Sequence, residues 1–315
     1  MKALFKKALL AALLATSVSA QAEDLQLRIA YLRGPTDLAL AKENGSLDRA
    51  LAKEHVKVKW LGPFAAAAPA YEALNAGALD VTTGSSTAFV TAIAAGSPLM
   101  FFAYQAMPAD GEGIVVRDDS PIKTIQDLKG KKVAVNKGGT GEYLLSRALQ
   151  TAGIPENAVQ KEYLSPADTG TAFVGGHVDA WAIWDPYLTL ARKDYQGRLL
   201  INGHNLGSEN AAGYFVSQAF YQQHPQVIKT VYAVLQQQNA WAKAHPHEAG
   251  AIWAQQMGPI GKGLGDGLGE VNTVPVTPIG DIEKQHIRNI AQWYLKQGLI
   301  KQVPDIDAHV IDITR

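Results

Sequence analysis

Two stretches of the chain repeat one order of features. Residues 75–96 read NAGALDVTTGSSTAFVTAIAAG, and residues 174–197 read VGGHVDAWAIWDPYLTLARKDYQG. In each, a glycine ends a helix, an aspartate follows (Asp80, Asp179), and then come a short buried strand, a polar turn and another helix. This duplication predicts two similarly built α/β lobes rather than one uninterrupted sheet.

The rest of the chain supports an α/β fold. Strands are predicted at Leu25–Leu32 and Lys131–Val135, each leading through a polar turn into a helix, at Asp37–Glu43 and Glu142–Thr151. The C-terminal third predicts helices over 224–245, 248–257 and 281–297. Gly261–Gly269, which reads GKGLGDGLG, lacks both the G-x-G-x-x-G spacing and a preceding strand, so a flexible loop is expected there.

Two extended apolar runs, Glu112–Thr124 and Glu209–Phe220, each lead into polar residues. We predict that both cross between the lobes. The first lobe then comprises residues 23–116 plus 215–315, and the second comprises residues 117–214. Two lobes joined by two crossing strands form a clamp that closes on a ligand in the cleft between them.

The N-terminus predicts export. Lys2, Lys6 and Lys7 form a basic region, Ala8–Val18 an apolar stretch, and Ala20–Ala22 an A-x-A cleavage site. The apolar stretch is too short for a permanent membrane span. We therefore expect residues 1–22 to be a signal peptide cleaved after Ala22, and the periplasm to be the location of the mature protein.

Composition excludes several classes of function. Without residues 1–22, the 29 basic residues fall to 26 against 29 acidic ones, a balance that argues against nucleic acid or an anionic membrane as partner. The absence of cysteine excludes thiol chemistry and thiolate metal sites. The chain carries no G-x-S-x-G, H-E-x-x-H or paired-carboxylate signature, so we expect neither an enzyme nor a metal site or cofactor.

Two polar turns are candidate anion sites, because backbone N–H groups at a helix N-terminus attract negative charge. One is Gly84–Thr87, where one hydroxyl caps the helix and the others remain for a ligand. The other is the turn NKGGTG, from Asn136 to Gly141, which is not a P-loop because no Gly-Lys-Ser/Thr follows.

The stretch WDPY is a third candidate. Asp185 before Pro186 favours a helix N-cap over a ligand contact. Trp184 and Tyr187 each combine a broad apolar face with one polar donor, so we predict that they form a ligand wall. Trp181 is predicted to pack in the core.

The segment LSPADTGTAFVGGHVDAWAIWDPY, residues 164–187, closely resembles the periplasmic substrate-binding proteins of sulfonate ABC transporters, the group that includes aliphatic-sulfonate and taurine binders. The likeness extends over SPIKTIQDLKGKKVAVNKGGTGEYLLSRALQTAGI and ALNAGALDVTTGSSTA. It implies a type II periplasmic-binding-protein fold, a small anionic organosulfur ligand in the cleft, and an ABC transporter permease in the inner membrane as partner. We expect a monomer.

The resemblance also implies which residues hold the sulfonate oxygens: hydroxyls and helix N-termini at Ser85, Ser86 and Lys137–Gly141, with Trp184 as a wall. The chain departs from the family pattern at Gly139-Thr140-Gly141 and in GPFAAAAPA after Leu61. Arg33 is the basic side chain expected near the mouth of the cleft. The full set of predicted ligand contacts is Arg33, Thr36, Ser85, Ser86, Gln105, Lys137, Gly138, Gly139, Thr140, Gly141, Trp184, Asp185, Tyr187 and Glu209.

Two alternatives remain open. The same class of receptor could bind nitrate, a thiamine-type pyrimidine or another small metabolite. An enzyme on the same fold is the other alternative, against which the export signal and the lack of acid–base pairs argue.

Overall fold

The computed structural model describes residues 25–314. The predicted signal peptide, residues 1–22, and its cleavage site lie outside these residues. No helix within the described part is both long enough and apolar enough to cross a membrane.

The first lobe is built on a six-stranded sheet with the order β11-β4-β10-β3-β1-β2. Three neighbouring strands of this sheet, β1, β2 and β3, run parallel, while β10 lies antiparallel between β3 and β4. The strands span Leu25–Leu32 (β1), Val56–Phe64 (β2), Val81–Ser85 (β3), Leu99–Ala106 (β4), Ala211–Ser217 (β10) and Val276–Thr277 (β11).

The second lobe is built on a five-stranded sheet with the order β7-β6-β8-β5-β9. It repeats the same arrangement: β6, β7 and β8 are parallel, and β5 lies antiparallel between β8 and β9. The strands span Glu112–Arg117 (β5), Lys132–Val135 (β6), Gln160–Tyr163 (β7), Ala180–Trp184 (β8) and Gly197–Asn202 (β9).

Twelve α-helices are described between residues 25 and 314, and they pack around the two sheets. They span Asp37–Glu43 (α1), Ser46–Ala52 (α2), Ala67–Asn75 (α3), Ser86–Ala94 (α4), Thr140–Thr151 (α5), Pro166–Val174 (α6), Tyr187–Lys193 (α7), Gln218–Gln223 (α8), Pro225–Ala244 (α9), Pro246–Gln256 (α10), Gly265–Asn272 (α11) and Asp281–Lys296 (α12). The predicted type II periplasmic-binding architecture, with two α/β lobes, is confirmed.

The duplication read from the sequence has a structural counterpart. The backbone N–H of Asp80 donates to the carbonyl of Arg28, and its carboxylate accepts from the Arg28 N–H at 2.8 Å. Asp179 makes the same pair of bonds with Lys132, the carboxylate contact being 2.9 Å. In each lobe the aspartate therefore fixes where the pairing of two neighbouring parallel strands begins, which explains why it recurs at matching places.

The predicted lobe boundaries, 116/117 and 214/215, fall inside β5 and β10. Each of these strands lies in one sheet over its whole length, because β5 pairs with β8 and β9, and β10 pairs with β3 and β4. The segments that join the sheets are 107–111 and 203–210. The predicted crossings Glu112–Thr124 and Glu209–Phe220 therefore begin at the ends of the true connections and continue into strands.

The glycine-rich segment is helical, so the predicted flexible loop is wrong. Residues 258–261 form one 3₁₀ turn, and α11 follows from Gly265. A Cβ on Gly250 of α10 would lie 1.9 Å from the carbonyl oxygen of Gly265, and one on Gly269 would lie 1.9 Å from that of Pro246. The glycines are there because the backbones of α10 and α11 touch, and no larger residue fits between them.

Candidate functional site

A cleft of about 820 Å³, counting the part that is open to solvent, lies between the lobes. Its walls are the carboxyl ends of parallel strands from both sheets and the turns that follow them, which is where open α/β sheets bind ligands. The lining residues are Leu32, Arg33, Pro35, Thr36, Ala67, Thr83, Gly84, Ser85, Gln105, Ala106, Met107, Pro108, Gly111, Asn136, Thr140, Trp184, Asp185, Ala212, Gly213, Tyr214, Asn272 and Val274.

Several helices start at this cleft. Thr36 caps α1 by accepting from the Ala39 N–H at 3.1 Å, and Ser85 caps α4 by accepting from the Ala88 N–H at 3.3 Å. Thr140 is the first residue of α5. The first-turn amides of a helix lack intrahelical partners, so these ends present positive partial charge to the cleft. The predicted contacts Thr36, Ser85 and Thr140 all line it.

Arg33 is the one lysine or arginine that lines the cleft within residues 25–314. It follows β1, and no carboxylate of the described chain forms an ion pair with it. Its Nε is buried and has no hydrogen-bond partner there. Burial raises the pKa of Tyr187, and the positive charge of Arg33 and a contact between its guanidinium and the Tyr187 hydroxyl act in the opposite direction. A buried guanidinium N–H that lacks an acceptor favours the binding of an anion, because the anion supplies that acceptor.

The turn NKGGTG is mostly occupied with its own hydrogen bonds. The Gly138 N–H donates to Glu142 Oε2 at 2.7 Å, and the Gly141 N–H donates to Asn136 Oδ1 at 2.7 Å. The Gly139 N–H reaches the Asn136 carbonyl at 3.4 Å. These amides are not available to an anion, which corrects the prediction for Gly138, Gly139 and Gly141. Thr140 alone among the predicted residues of this turn lines the cleft.

Three more predicted contacts point elsewhere. Lys137 is exposed, with its ammonium 5.9 Å from the centre of the Tyr163 ring. Ser86 is fully buried, because its hydroxyl accepts from the Ala211 N–H at 2.9 Å at the start of β10. Glu209 accepts from Asn289 Nδ2 at 2.8 Å, on the side of α12. None of the three lines the cleft, so these predictions are corrected.

The WDPY stretch divides between wall and core. Trp184 ends β8, is partly buried and lines the cleft, as predicted. Tyr187 does not line it: its side chain is 1% exposed and packs 6.2 Å from Trp181 and 6.5 Å from Trp184, between ring centres. The prediction of a wall role for Tyr187 is therefore corrected, whereas Trp181 is core, as expected.

Asp185 lines the cleft, but both of its carboxylate oxygens are already bound. Oδ1 accepts from the N–H and the hydroxyl of Thr189, at 2.9 and 2.8 Å, in the first turn of α7. Oδ2 accepts from Asn272 Nδ2 at 3.0 Å. Burial raises the pKa of Asp185, and these hydrogen bonds oppose that shift. The N-cap position is Pro186 rather than Asp185, so the predicted position is one residue off, but the Asp185 carboxylate still satisfies a first-turn amide of α7. It also joins the second lobe to α11 of the first.

Gln105 lines the cleft with its amide held from behind. Its Nε2 donates to the Val274 carbonyl at 2.7 Å and to Asp37 Oδ2 at 3.3 Å. The same Asp37 oxygen accepts from the Tyr214 hydroxyl at 2.8 Å. Asp37 is 1% exposed, and burial raises its pKa to about 7 although the hydrogen bonds, that of Tyr214 first, act against this.

Sequence reasoning missed two asparagines of the cleft. Asn136 directly follows β6 and opens the turn NKGGTG; it belongs to the candidate turn but not to the predicted contacts, although its position after a strand is a signal for it. Asn272 ends α11, three residues after the segment Gly261–Gly269 that was expected to be a loop, and no local motif marks it. Met107 and Pro108, from the first connecting segment, were also missed.

The comparisons with known proteins agree with this geometry. The family model described as NMT1/THI5 like matches residues 51–249. The chain belongs to this family. A relative named putative aliphatic sulfonates-binding protein, from Escherichia coli strain K12, is 35% identical over 255 residues, covering 80% of this chain and 79% of the relative.

Among solved structures, the chain is similar to the alkanesulfonate-binding protein SsuA from Xanthomonas axonopodis pv. citri bound to MOPS. The TM-score is 0.84 with 29% identity, over 92% of this chain and 99% of the other. A desulfurization enzyme, DszB, shares the fold at a TM-score of 0.64 with 16% identity, over 91% and 96% of the two chains. The sequence-based recognition of sulfonate-binding relatives is confirmed.

Proposed function

We propose that this protein is the substrate-binding receptor of an ABC importer and that it captures a small sulfonate in the interlobe cleft. The observation that carries the proposal is Arg33, a cation at the cleft whose buried Nε has no partner in the described chain. The hydroxyls of Ser85 and Thr140, at the starts of α4 and α5, supply neutral donors in the same cleft. A sulfonate stays anionic at any biological pH and accepts hydrogen bonds through three oxygens, so it suits this set of groups.

The remainder of the cleft suits an organic tail. Trp184, Met107, Pro108 and Val274 give it an apolar part, drawn from both lobes and from the connection between them. A purely inorganic anion would leave this surface in contact with water, whereas an alkyl or aryl sulfonate would cover it. The bound MOPS named for the Xanthomonas relative is an organic sulfonate of this kind.

The remaining parts of the proposal concern the protein's setting. A signal peptide over residues 1–22, cleaved after Ala22, would deliver a periplasmic monomer, and an inner-membrane permease would receive the ligand. The relatives named as binding proteins support a receptor rather than an enzyme. A receptor of this type closes because ligand bridges two lobes that otherwise separate.

A thermal-shift panel tests the ligand class. Ligand present at 100 times its Kd should raise the free energy of unfolding by about 2.7 kcal/mol. We expect alkanesulfonates or sulfate esters to raise the melting temperature, and nitrate or a thiamine-type pyrimidine to leave it unchanged. The reverse pattern would reject the sulfonate proposal, and turnover of a bound ligand would favour the enzyme alternative.

A pair of variants tests the role of Arg33. Arg33→Gln removes the charge at the cleft, and we expect at least about a tenfold loss of sulfonate affinity, because a hydrogen bond to a charged group contributes ~1.5–3 kcal/mol. Arg49→Gln is the matched control, since Arg49 is exposed on α2 and does not line the cleft. Equal affinities of the two variants would argue against an anion at Arg33.

A further inference from the structure

Three hydroxyls form a line behind and along the cleft, joining the two lobes. The Ser85 and Thr87 hydroxyl oxygens are 2.9 Å apart, and those of Thr87 and Thr140 are 3.3 Å apart. Ser85 and Thr140 line the cleft, but Thr87 is fully buried and does not. The line thus starts at the N-terminus of α4, in the first lobe, and ends at the N-terminus of α5, in the second.

Asn210 fixes the direction of hydrogen bonding at the Thr140 end of this line of hydroxyls. The Thr87 N–H, which can only donate, points to Asn210 Oδ1 at 3.4 Å, and the Ser86 hydroxyl donates to the same oxygen at 3.2 Å. The amide NH₂ of Asn210 must then face the other way, where it donates to Glu112 Oε2 at 2.7 Å and to Thr140 Oγ1 at 3.2 Å. Thr140 therefore accepts from Asn210.

Glu112 holds Asn210 in that orientation from the opposite side. It is 1% exposed, and its other oxygen, Oε1, accepts from the Ser208 hydroxyl at 2.5 Å. Burial raises the pKa of Glu112, and the hydrogen bonds from Ser208 and Asn210 oppose this shift. Glu112 opens β5, while Ser208 and Asn210 belong to segment 203–210. The carboxylate thus ties together both connections between the lobes without touching the cleft.

The number of hydroxyl protons in this line of three side chains determines how many of them can be donated to a ligand. Ser85, Thr87 and Thr140 carry three hydroxyl protons, and two hydrogen bonds link them. Since Asn210 donates to Thr140 rather than accepting from it, one proton is left over, and the hydroxyls that can point it into the cleft are Ser85 and Thr140. The Tyr294 hydroxyl lies buried near Thr87 and has no hydrogen-bond partner in the described chain; a bond to Thr87 would use the proton that Tyr294 itself brings, so the surplus is unchanged.

We propose that Glu112 and Asn210 are positioning residues that force this surplus proton into the cleft, and thereby select a tetrahedral anion whose oxygens only accept hydrogen bonds. This inference rests on the proposed function and adds a specificity determinant to it. A hydrogen phosphonate or hydrogen phosphate ester carries an O–H that needs an acceptor. Glu112 does not line the cleft, and Asp185 already accepts two bonds at Oδ1 and one from Asn272 at Oδ2, so the only carboxylate oxygen of the described chain that such an O–H could reach is one already shared with Asn272.

The double substitution E112Q/N210D changes residue 210 from a donor to the Thr140 hydroxyl into an acceptor from it, while side-chain shape and net charge are preserved. The carboxylate introduced at position 210 would still accept from Ser86 and Thr87 through one oxygen. Through its other oxygen it would accept from the amide introduced at position 112 and from the Thr140 hydroxyl, and the oxygen of that amide would still accept from Ser208. Three protons then meet three acceptors, and none remains for the ligand. Every buried oxygen in this set stays paired, and one N–H of the amide introduced at position 112 is left without an acceptor among these groups, so the melting temperature should fall only modestly.

Calorimetry with ethanesulfonate and ethylphosphonate, at about pH 5 where the phosphonate keeps one O–H, gives the readout. For E112Q/N210D we expect ethanesulfonate affinity to fall about tenfold or more, on the scale of a hydrogen bond to a charged group, and ethylphosphonate affinity to fall less. The ratio of ethanesulfonate affinity to ethylphosphonate affinity should therefore decrease. A stable double variant that loses both ligands equally, or that keeps wild-type selectivity, would overturn the inference.

Two further variants keep the test decisive if the double variant is unstable. E112Q alone leaves Asn210 as a donor to Thr140, so the wild-type selectivity ratio should persist. Thr87→Val, at a position that does not line the cleft, removes both links and leaves one proton on each of Ser85 and Thr140. Sulfonate selectivity should then persist or increase, and its loss would contradict the proton count. A wild-type protein that binds no sulfonate would instead reject the proposed function itself.

Discussion

The contact between Asn272 and Asp185 predicts how much the closed cleft depends on α11. Asn272→Ala removes the amide that donates to Asp185 Oδ2 at 3.0 Å, along with its bond to the Leu268 carbonyl. Asp185 is 8% exposed in the structure, where Asn272 contacts it across the cleft, so its Oδ2 would lose its donor while still shielded from water. When the lobes open, water can solvate the same carboxylate, and the cost therefore falls mainly on the closed state.

The magnitude follows from this difference. A hydrogen bond to a charged group contributes ~1.5–3 kcal/mol, and we expect the lower end because Asn272 itself is partly exposed and water can replace part of the bond. A closed state disfavoured by about 1.5 kcal/mol raises the apparent Kd about tenfold. The melting temperature of the ligand-free protein should change little, because the open form does not use this contact.

Isothermal titration calorimetry with an alkanesulfonate measures the change, and differential scanning calorimetry of the ligand-free protein measures stability. Asp266→Asn is the matched control, because Asp266 lies on the same helix, is highly exposed and contacts His247 rather than the cleft. Asn272→Ala with a Kd within about twofold of the control, or with a lowered melting temperature and unchanged affinity, would refute the interlobe contact as a determinant of closure.

Three other predictions follow from the same cleft. Trp184→Ala should weaken sulfonate binding by ~1–3 kcal/mol, measured by calorimetry, and unchanged affinity would remove it from the ligand wall. Gly34→Ala would place a Cβ 2.4 Å from Pro186 Cδ at a φ of +110°, so small-angle scattering with saturating ligand should detect a larger radius of gyration; a wild-type radius would contradict this. Burial raises the pKa of Asp37 from 3.8 to about 7, so the free energy of unfolding should fall as pH rises through that range. Asp37→Asn should remove this part of the pH dependence. If the free energy of unfolding, measured by denaturation at several pH values, changes with pH by the same amount in both proteins, the prediction is wrong.

Local sequence determined the elements that bring residues to the cleft. Alternation and turn residues located β1 and α1 with the bounds that the structure has, and the repeated aspartates, Asp80 and Asp179, marked the matching strand starts in each lobe. N-cap chemistry was also readable, because Ser85 needs only the amide of Ala88, three residues later. Such features depend on contacts a few residues apart, and so they leave a pattern in the chain.

The tertiary structure decided which polar groups remain free for a ligand. The amides of Gly138 and Gly141 looked available until Glu142 and Asn136 were seen to use them. Ser86 is turned inward by β10, and Asn272 reaches the cleft because α11 packs backbone to backbone on α10. Each hydrogen bond uses up a donor or acceptor, and in folded proteins most partners of a side chain come from distant segments. The sequence by itself therefore determined where the walls of the cleft are, whereas only the folded chain decided which atoms on those walls are left to bind.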